Sequence, residues 1–115
     1  MPQDGEQGEQ AERARRLAEQ VAGVWTKFRG EILEQAELVI FAAEALGQGT
    51  LSEEERAKAQ HAAHNLSGSV GTFGFWEGSK VAKRIELQLK KGTELSAEEI
   101  REVLDLAGNL HEMLQ

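Results

Sequence analysis

The stretch His61-Ala62-Ala63-His64-Asn65-Leu66-Ser67-Gly68-Ser69-Val70-Gly71-Thr72-Phe73-Gly74 sorts its residues onto two faces when wound as a helix at about 100° per residue. Together with Ala59 just upstream, Ala62, Ala63, Leu66, Val70 and Phe73 fall within about 50° of one direction, an apolar stripe that must face a core. His64 lies about 140° from that stripe, on the side that also carries Ala57, His61, Gly68 and Gly71. An imidazole is thus predicted at the surface among residues with almost no side chain. Gly68 follows His64 by one turn on the same face, and a glycine inside a helix costs about 1 kcal/mol relative to Ala. Its place beneath the ring makes sense if another molecule has to come close there.

Outward from this stretch, two segments open alike: Gly49-Thr50-Leu51-Ser52-Glu53-Glu54-Glu55 and Gly92-Thr93-Glu94-Leu95-Ser96-Ala97-Glu98-Glu99. In each, a Ser accepts from the exposed N–H groups of a first helical turn, the Glu three residues on reaches back, and a preceding Leu supplies half of a hydrophobic staple. The first start predicts a helix from Ser52 to about Gly71 or Phe73, eroded at its end by Gly68, Gly71 and Gly74. A second helix, with Gly78, Val81, Ala82, Ile85 and Leu89 inward, is predicted from about Trp76 to Lys91, and a third from Ser96 onward with Ile100, Val103, Leu104, Ala107, Leu110 and Leu114 inward. Upstream, Leu17, Val21, Trp25, Phe28, Ile32, Ala36, Val39, Ala43 and Leu46 recur at helical spacing between about Glu12 and Leu46. Gly23 and Gly30 predict a bend that divides this stretch into a short leading helix and a long one. Residues 1–10 are Gly, Gln and Glu with almost no apolar side chain and read as a flexible tail ahead of a helical bundle domain over 11–115. Short connections between long amphipathic helices imply antiparallel neighbours. The fold class is therefore all-α: an antiparallel up-down four-helix bundle with an additional N-terminal helix. Trp25, Phe28, Phe73, Phe75 and Trp76 are read as core and end-of-bundle packing.

Composition agrees with that class and narrows the function. At 115 residues the chain is one domain, its single Pro is Pro2, and Ala, Leu, Glu, Lys, Arg and Gln dominate. The absence of Cys excludes disulfide scaffolds, thiolate metal sites and Cys nucleophiles. No basic-then-apolar leader opens the sequence and no apolar run reaches the roughly 20 residues that cross a bilayer, so a soluble, cytoplasmic protein without a membrane partner is expected. A net charge of -7 argues against general nucleic-acid binding, which depends on neutralising phosphates, and leaves a protein partner. A closed four-helix core with charged outer faces points to a monomer.

The run His64, Leu66, Gly68, Ser69, Phe73, Gly74 resembles the motif of the histidine-containing phosphotransfer (HPt) domain family, in which a His is followed at fixed offsets by Leu, Lys, Gly, Ser or Ala, an apolar residue and a closing Gly. Each offset matches except the Lys, which is Ser67 here. The resemblance implies a phosphorelay carrier. A receiver's aspartyl phosphate, with its bound Mg²⁺, is attacked in line by Nε2 of His64, and the phosphoryl group later passes to another receiver. Partners would be response-regulator receiver domains and a hybrid sensor histidine kinase. The chain itself would need no cofactor, the Mg²⁺ coming from the receiver. An ordinary imidazole is largely unprotonated at neutral pH and needs no dedicated base. Ala57, His61, Ser67, Gly68 and Gly71 would line the docking face. Glu86 falls where the family places a polar group that steadies the ring. Ser67 offers a hydroxyl in place of a positive charge. Lys83 or Arg84, on the most basic helix of this acidic chain with Lys80, Lys90 and Lys91, would compensate.

Other readings stand beside this one. His61 shares the face without the motif's offsets and reads as a neighbour, while His111 near the last helix's C-terminus suits the helix dipole. His61 and His64 three residues apart could chelate a metal with Glu54 or Glu55, but no second ligand pair appears on another helix. Gly68, Gly71 and Gly74 follow no strand and lack a Lys-Ser/Thr pair, so they are no phosphate loop. No segment resembles a kinase ATP site, so self-phosphorylation is not expected. A helical adaptor that has kept the bundle and lost transfer is the alternative that Ser67 raises. A phosphoacceptor piece of a larger hybrid kinase or response regulator is another.

Overall fold

The computed structural model describes residues 2–115, with side chains from Gly8 onward. Four helices account for most of it: α1 (Pro2–Gln48), α2 (Glu53–Thr72), α3 (Trp76–Lys90) and α4 (Ala97–Leu114), with no strand among the described residues. The chain divides into two compact units, Met1–Gly30 and Glu31–Gln115. The expected separate leading helix is not present, because α1 is helical through both Gly23 and Gly30. A helical glycine lowers stability without forbidding the conformation, and neither residue has a positive φ. Pro2–Gln10, expected as a tail, also belongs to α1, in keeping with the helix propensity of Glu and Gln.

In the first unit Leu17, Val21, Val24 and Phe28 are exposed and Trp25 is half-buried. The periodic stripe assigned Leu17, Val21 and Phe28 to a core, but a unit that is one helix has no second layer to cover it. Burial along α1 begins at Ile32.

The second unit holds the core. Ile32, Ala36, Val39, Ala43 and Leu46 of α1 are buried together with Ala59, Ala62, Ala63, Leu66 and Val70 of α2, Ala82, Ile85 and Leu89 of α3, and Val103, Ala107, Leu110 and Leu114 of α4. Small Ala residues on α1 and α2 let helices approach closely, while Leu, Ile and Val fill the remaining space. Val81 and Ile100 are half-buried and Leu104 is exposed at the margin of this core. Both predicted helix starts are complete capping boxes: Ser52 accepts from the Glu55 N–H and Ser96 from that of Glu99, each at 3.1 Å, and both Glu side chains reach back to the cap N–H.

Helices α2 and α3 form an antiparallel hairpin around a three-residue turn, Phe73 to Phe75. The start of α2 meets the end of α3, where Arg56 donates to the Leu89 carbonyl at 2.9 Å, and its end meets the start of α3, where Ser79 donates to the Ser67 carbonyl at 2.6 Å. Gly74 turns the chain at φ +88°, a value open to glycine and strained for other residues. Phe73 and Phe75 are half-buried at this end, whereas Trp76, expected to pack there, is 69% exposed. As the first residue of α3 it sits outside the 3.6-residue stripe that Gly78, Ala82 and Ile85 turn inward. Helices α3 and α4 are likewise antiparallel: Lys91 meets Glu99 at 2.7 Å, Gln88 meets Glu102 at 3.3 Å, and Gly78 lies against Leu110.

Candidate functional site

The hairpin brings His64 of α2 opposite Glu86 of α3, with Nδ1 3.0 Å from Oε1. Glu86 is 7% exposed, yet the His64 side chain retains 61% of its surface. Glu86 follows Ile85 on the inward side of α3 and reaches out along the seam between the two helices. Its second oxygen accepts from Lys83 Nζ at 3.3 Å. Burial pushes the Glu86 carboxyl up, but hydrogen bonds from Lys83 and His64, with the charges of those partners, outweigh it and hold the group below its ordinary value. Glu86 is therefore a carboxylate at neutral pH and can only accept.

For the neutral ring the hydrogen-bond network fixes the tautomer: Nδ1–H donates to the Glu86 carboxylate, and Nε2 keeps its lone pair. Nε2 has no partner among the described residues. Positive charge that develops on the ring when Nε2 forms a bond lies 3.0 Å from a carboxylate oxygen. The arrangement can thus act as an outward-facing, oriented nitrogen nucleophile.

The residues expected around the ring differ in exposure. Ala57, His61 and Gly68 are exposed, and a Cβ at Gly68 would meet nothing within 4 Å. Gly71 is a correction. It is buried, and a Cβ there would stand 3.3 Å from Ser79 Oγ. Helix α3 crosses α2 at this level, so Gly71 permits the close helix contact and does not line the outer face. Ser67 donates its hydroxyl to the His64 carbonyl at 2.8 Å, a local back-bond that draws the oxygen towards the backbone. Of the two cations expected to compensate, Lys83 joins the site through Glu86, while Arg84 turns to α4 and pairs with Glu102.

One lining residue lies far from the His64 motif in sequence. Gln35 of α1 shares a shallow groove with His64, Asn65, Gly68, Ser69 and Thr72. Its signal is a polar residue set beside Ile32, Ala36 and Val39 in an otherwise apolar seam. Among the described residues no three His, Asp or Glu side chains gather as a metal site. No helix among them is long and apolar enough to cross a membrane.

A helical unit that presents one anchored, outward-facing imidazole has the architecture of a phosphotransfer signalling module. Residues 23–115 match the family model of the Hpt domain, and the chain belongs to that family, whose members work with receiver domains and histidine kinases in phosphorelays. The chain is also similar to Protein RcaC of Microchaete diplosiphon, with 29% identity over 65 residues. That stretch is 56% of this chain and spans about a tenth, 10%, of the relative's length. No solved structure matches the chain.

Proposed function

We propose that this protein is a phosphorelay carrier that takes a phosphoryl group from a receiver-domain aspartate onto Nε2 of His64 and passes it to a second receiver. The observation that carries this reading is the division of labour on one ring, with Nδ1 held by buried Glu86 and Nε2 left without a partner on a side chain that keeps 61% of its surface. In the forward step the Nε2 lone pair attacks phosphorus, the bond from phosphorus to the aspartyl oxygen breaks, and the aspartate leaves as a carboxylate. The Nδ1 proton stays in its hydrogen bond, and Glu86 stabilises the charge gained by the ring. The receiver supplies Mg²⁺ and the acidic cluster around it, so this chain contributes the nucleophile and the surface that admits the partner.

Geometry supports a docking face of Ala57, His61, Ser67 and Gly68, flanked on α3 by Lys80 and Lys83, whose charge suits an acidic receiver rim. The antiparallel contacts of α2 with α3 and α3 with α4, and the shared core with α1, support an up-down four-helix bundle as the scaffold. We place the carrier in the cytoplasm as a monomer.

The deciding experiment incubates the protein with phosphorylated receivers and follows acid-labile, base-stable phosphate. Label should appear on the wild-type protein and be lost in His64→Gln. A folded protein that takes no label from any receiver would be an adaptor instead, and retention of label by His64→Gln would remove the reading altogether.

A further inference from the structure

The family pattern has a Lys three residues after the phosphoacceptor, and here that position is Ser67. Its hydroxyl is committed to the His64 carbonyl at 2.8 Å. The nearby ammonium, Lys83, sits on Glu86 Oε2, on the Nδ1 side of the ring and away from the nitrogen that would bear phosphorus. Thr72, in the groove beside His64, donates to the Gly68 carbonyl at 3.0 Å. Three polar side chains of that groove remain without partners among the described residues: Gln35, Asn65 and Ser69. Asn65 and Ser69 are short and lie on the same helix as His64. Gln35 comes from α1, is half-buried, and lines the groove with a longer side chain of two methylenes and an amide.

We propose that Gln35 is a positioning residue for the phosphoryl group, its side-chain N–H donating to a phosphoryl oxygen on Nε2 of His64 and supplying the stabilisation that Ser67 cannot. The proposal rests on the phosphocarrier reading above. A neutral amide is a weaker donor than an ammonium, but it is fixed to a packed helix and need not be drawn from solvent. It also faces the groove and leaves the space over Gly68 open to a docking partner.

The test uses phosphoramidate, a small donor that separates chemistry at the ring from receiver docking. Nε2 attacks phosphorus, the phosphorus–nitrogen bond of the donor breaks, and ammonia departs. Formation of phosphohistidine is followed by ³¹P NMR on the wild-type protein and on Gln35→Ala, Gln35→Glu and Gln35→Lys, with thermal melts confirming the fold. Gln35→Ala is expected to slow formation about ten- to a hundredfold and to move the phosphohistidine resonance, as loss of one hydrogen bond to a charged group would do. Gln35→Glu should be slower still through repulsion, and Gln35→Lys should restore the rate. Equal rates and an unmoved resonance across the series, or a Glu variant as fast as wild type, would overturn the role of Gln35 while leaving the carrier reading intact. Failure of the wild-type protein to label His64 at all would sink both.

Discussion

Helix α3 carries an ionic seam on each of two sides, and the pair are alike in chemistry but not in consequence. Towards α4, Glu102 holds Arg84 and Gln88 while Glu99 holds Lys91. Towards α2, Glu86 holds Lys83 and His64. On the α4 side the donors are amide, guanidinium and ammonium groups, which have N–H bonds to offer and no lone pair left to attack with. On the α2 side one donor is a ring with two nitrogens, and fixing one of them prepares the other. A carboxylate contact across a helix seam is thus ordinary structure until its donor retains a second, reactive atom.

The largest expected effect tests that contrast directly. Glu86→Ala removes a charge-assisted bond of about 1.5–3 kcal/mol, so phosphoryl transfer to His64 should fall roughly ten- to a hundredfold. Glu102→Ala, on the other seam, should leave transfer unchanged and lower only thermal stability. Stopped-time transfer assays with one receiver, run beside melting curves, separate the two, and equal losses of transfer would erase the distinction.

Next in size is Gly68→Leu. The open space around Gly68 accepts the side chain, and replacing a helical glycine should raise stability by up to about 1 kcal/mol. If Gly68 lies in the docking face as proposed, transfer from a receiver should nevertheless drop by about tenfold or more, the new side chain holding the partner at a distance. Labelling by phosphoramidate should be nearly unaffected. A variant that loses both, or neither, contradicts the docking role. Ser67→Lys sharpens the same face in the other direction: restoring an exposed cation is worth about 0.2–1 kcal/mol, hence a gain of about one and a half to fivefold in transfer rate.

The smallest effect is on acid stability. Glu86 is held below its ordinary 4.5 by Lys83 and His64 against the opposing effect of burial, and Glu99 is pushed down to about 2, chiefly by its bond from Lys91 and then by its capping bonds with Ser96. In both cases the unfolded chain binds the proton first as pH falls. The stabilisation is complete above about pH 4.5 and disappears as pH drops through the lowered folded values, for Glu99 towards about pH 2. Urea midpoints should therefore fall across this window, and Glu99→Gln should flatten part of the slope. A midpoint independent of pH between 5 and 2 would contradict it.

Local signals carried most of the fold. The two Ser-to-Glu boxes at Ser52 and Ser96 mark helix starts because a cap is made by residues three apart in sequence. The position of His64 opposite a buried stripe was equally legible, since helical period alone sets it. Gly71 was misplaced for the complementary reason: periodicity describes one helix in isolation and knows nothing of α3 passing at Ser79. The division between Lys83 and Arg84 depends on which neighbour each adjacent residue faces, and that depends on both seams at once. Gln35 carried only the faint signal of a polar residue in an apolar seam, because it is brought to His64 by tertiary packing across many intervening residues. The stripe from Leu17 to Phe28 shows the opposite error, a pattern real in sequence with no layer inside its own unit to bury it.

The closeness of His64 and Glu86 in sequence, 22 positions apart within one hairpin, bears on how quickly the chain acquires its chemistry. Short-range closure loses little chain entropy, and proteins rich in such contacts reach their native state in microseconds to milliseconds. The ring and its carboxylate therefore need only a local hairpin closure to meet, which loses less chain entropy than a contact between helices remote in sequence.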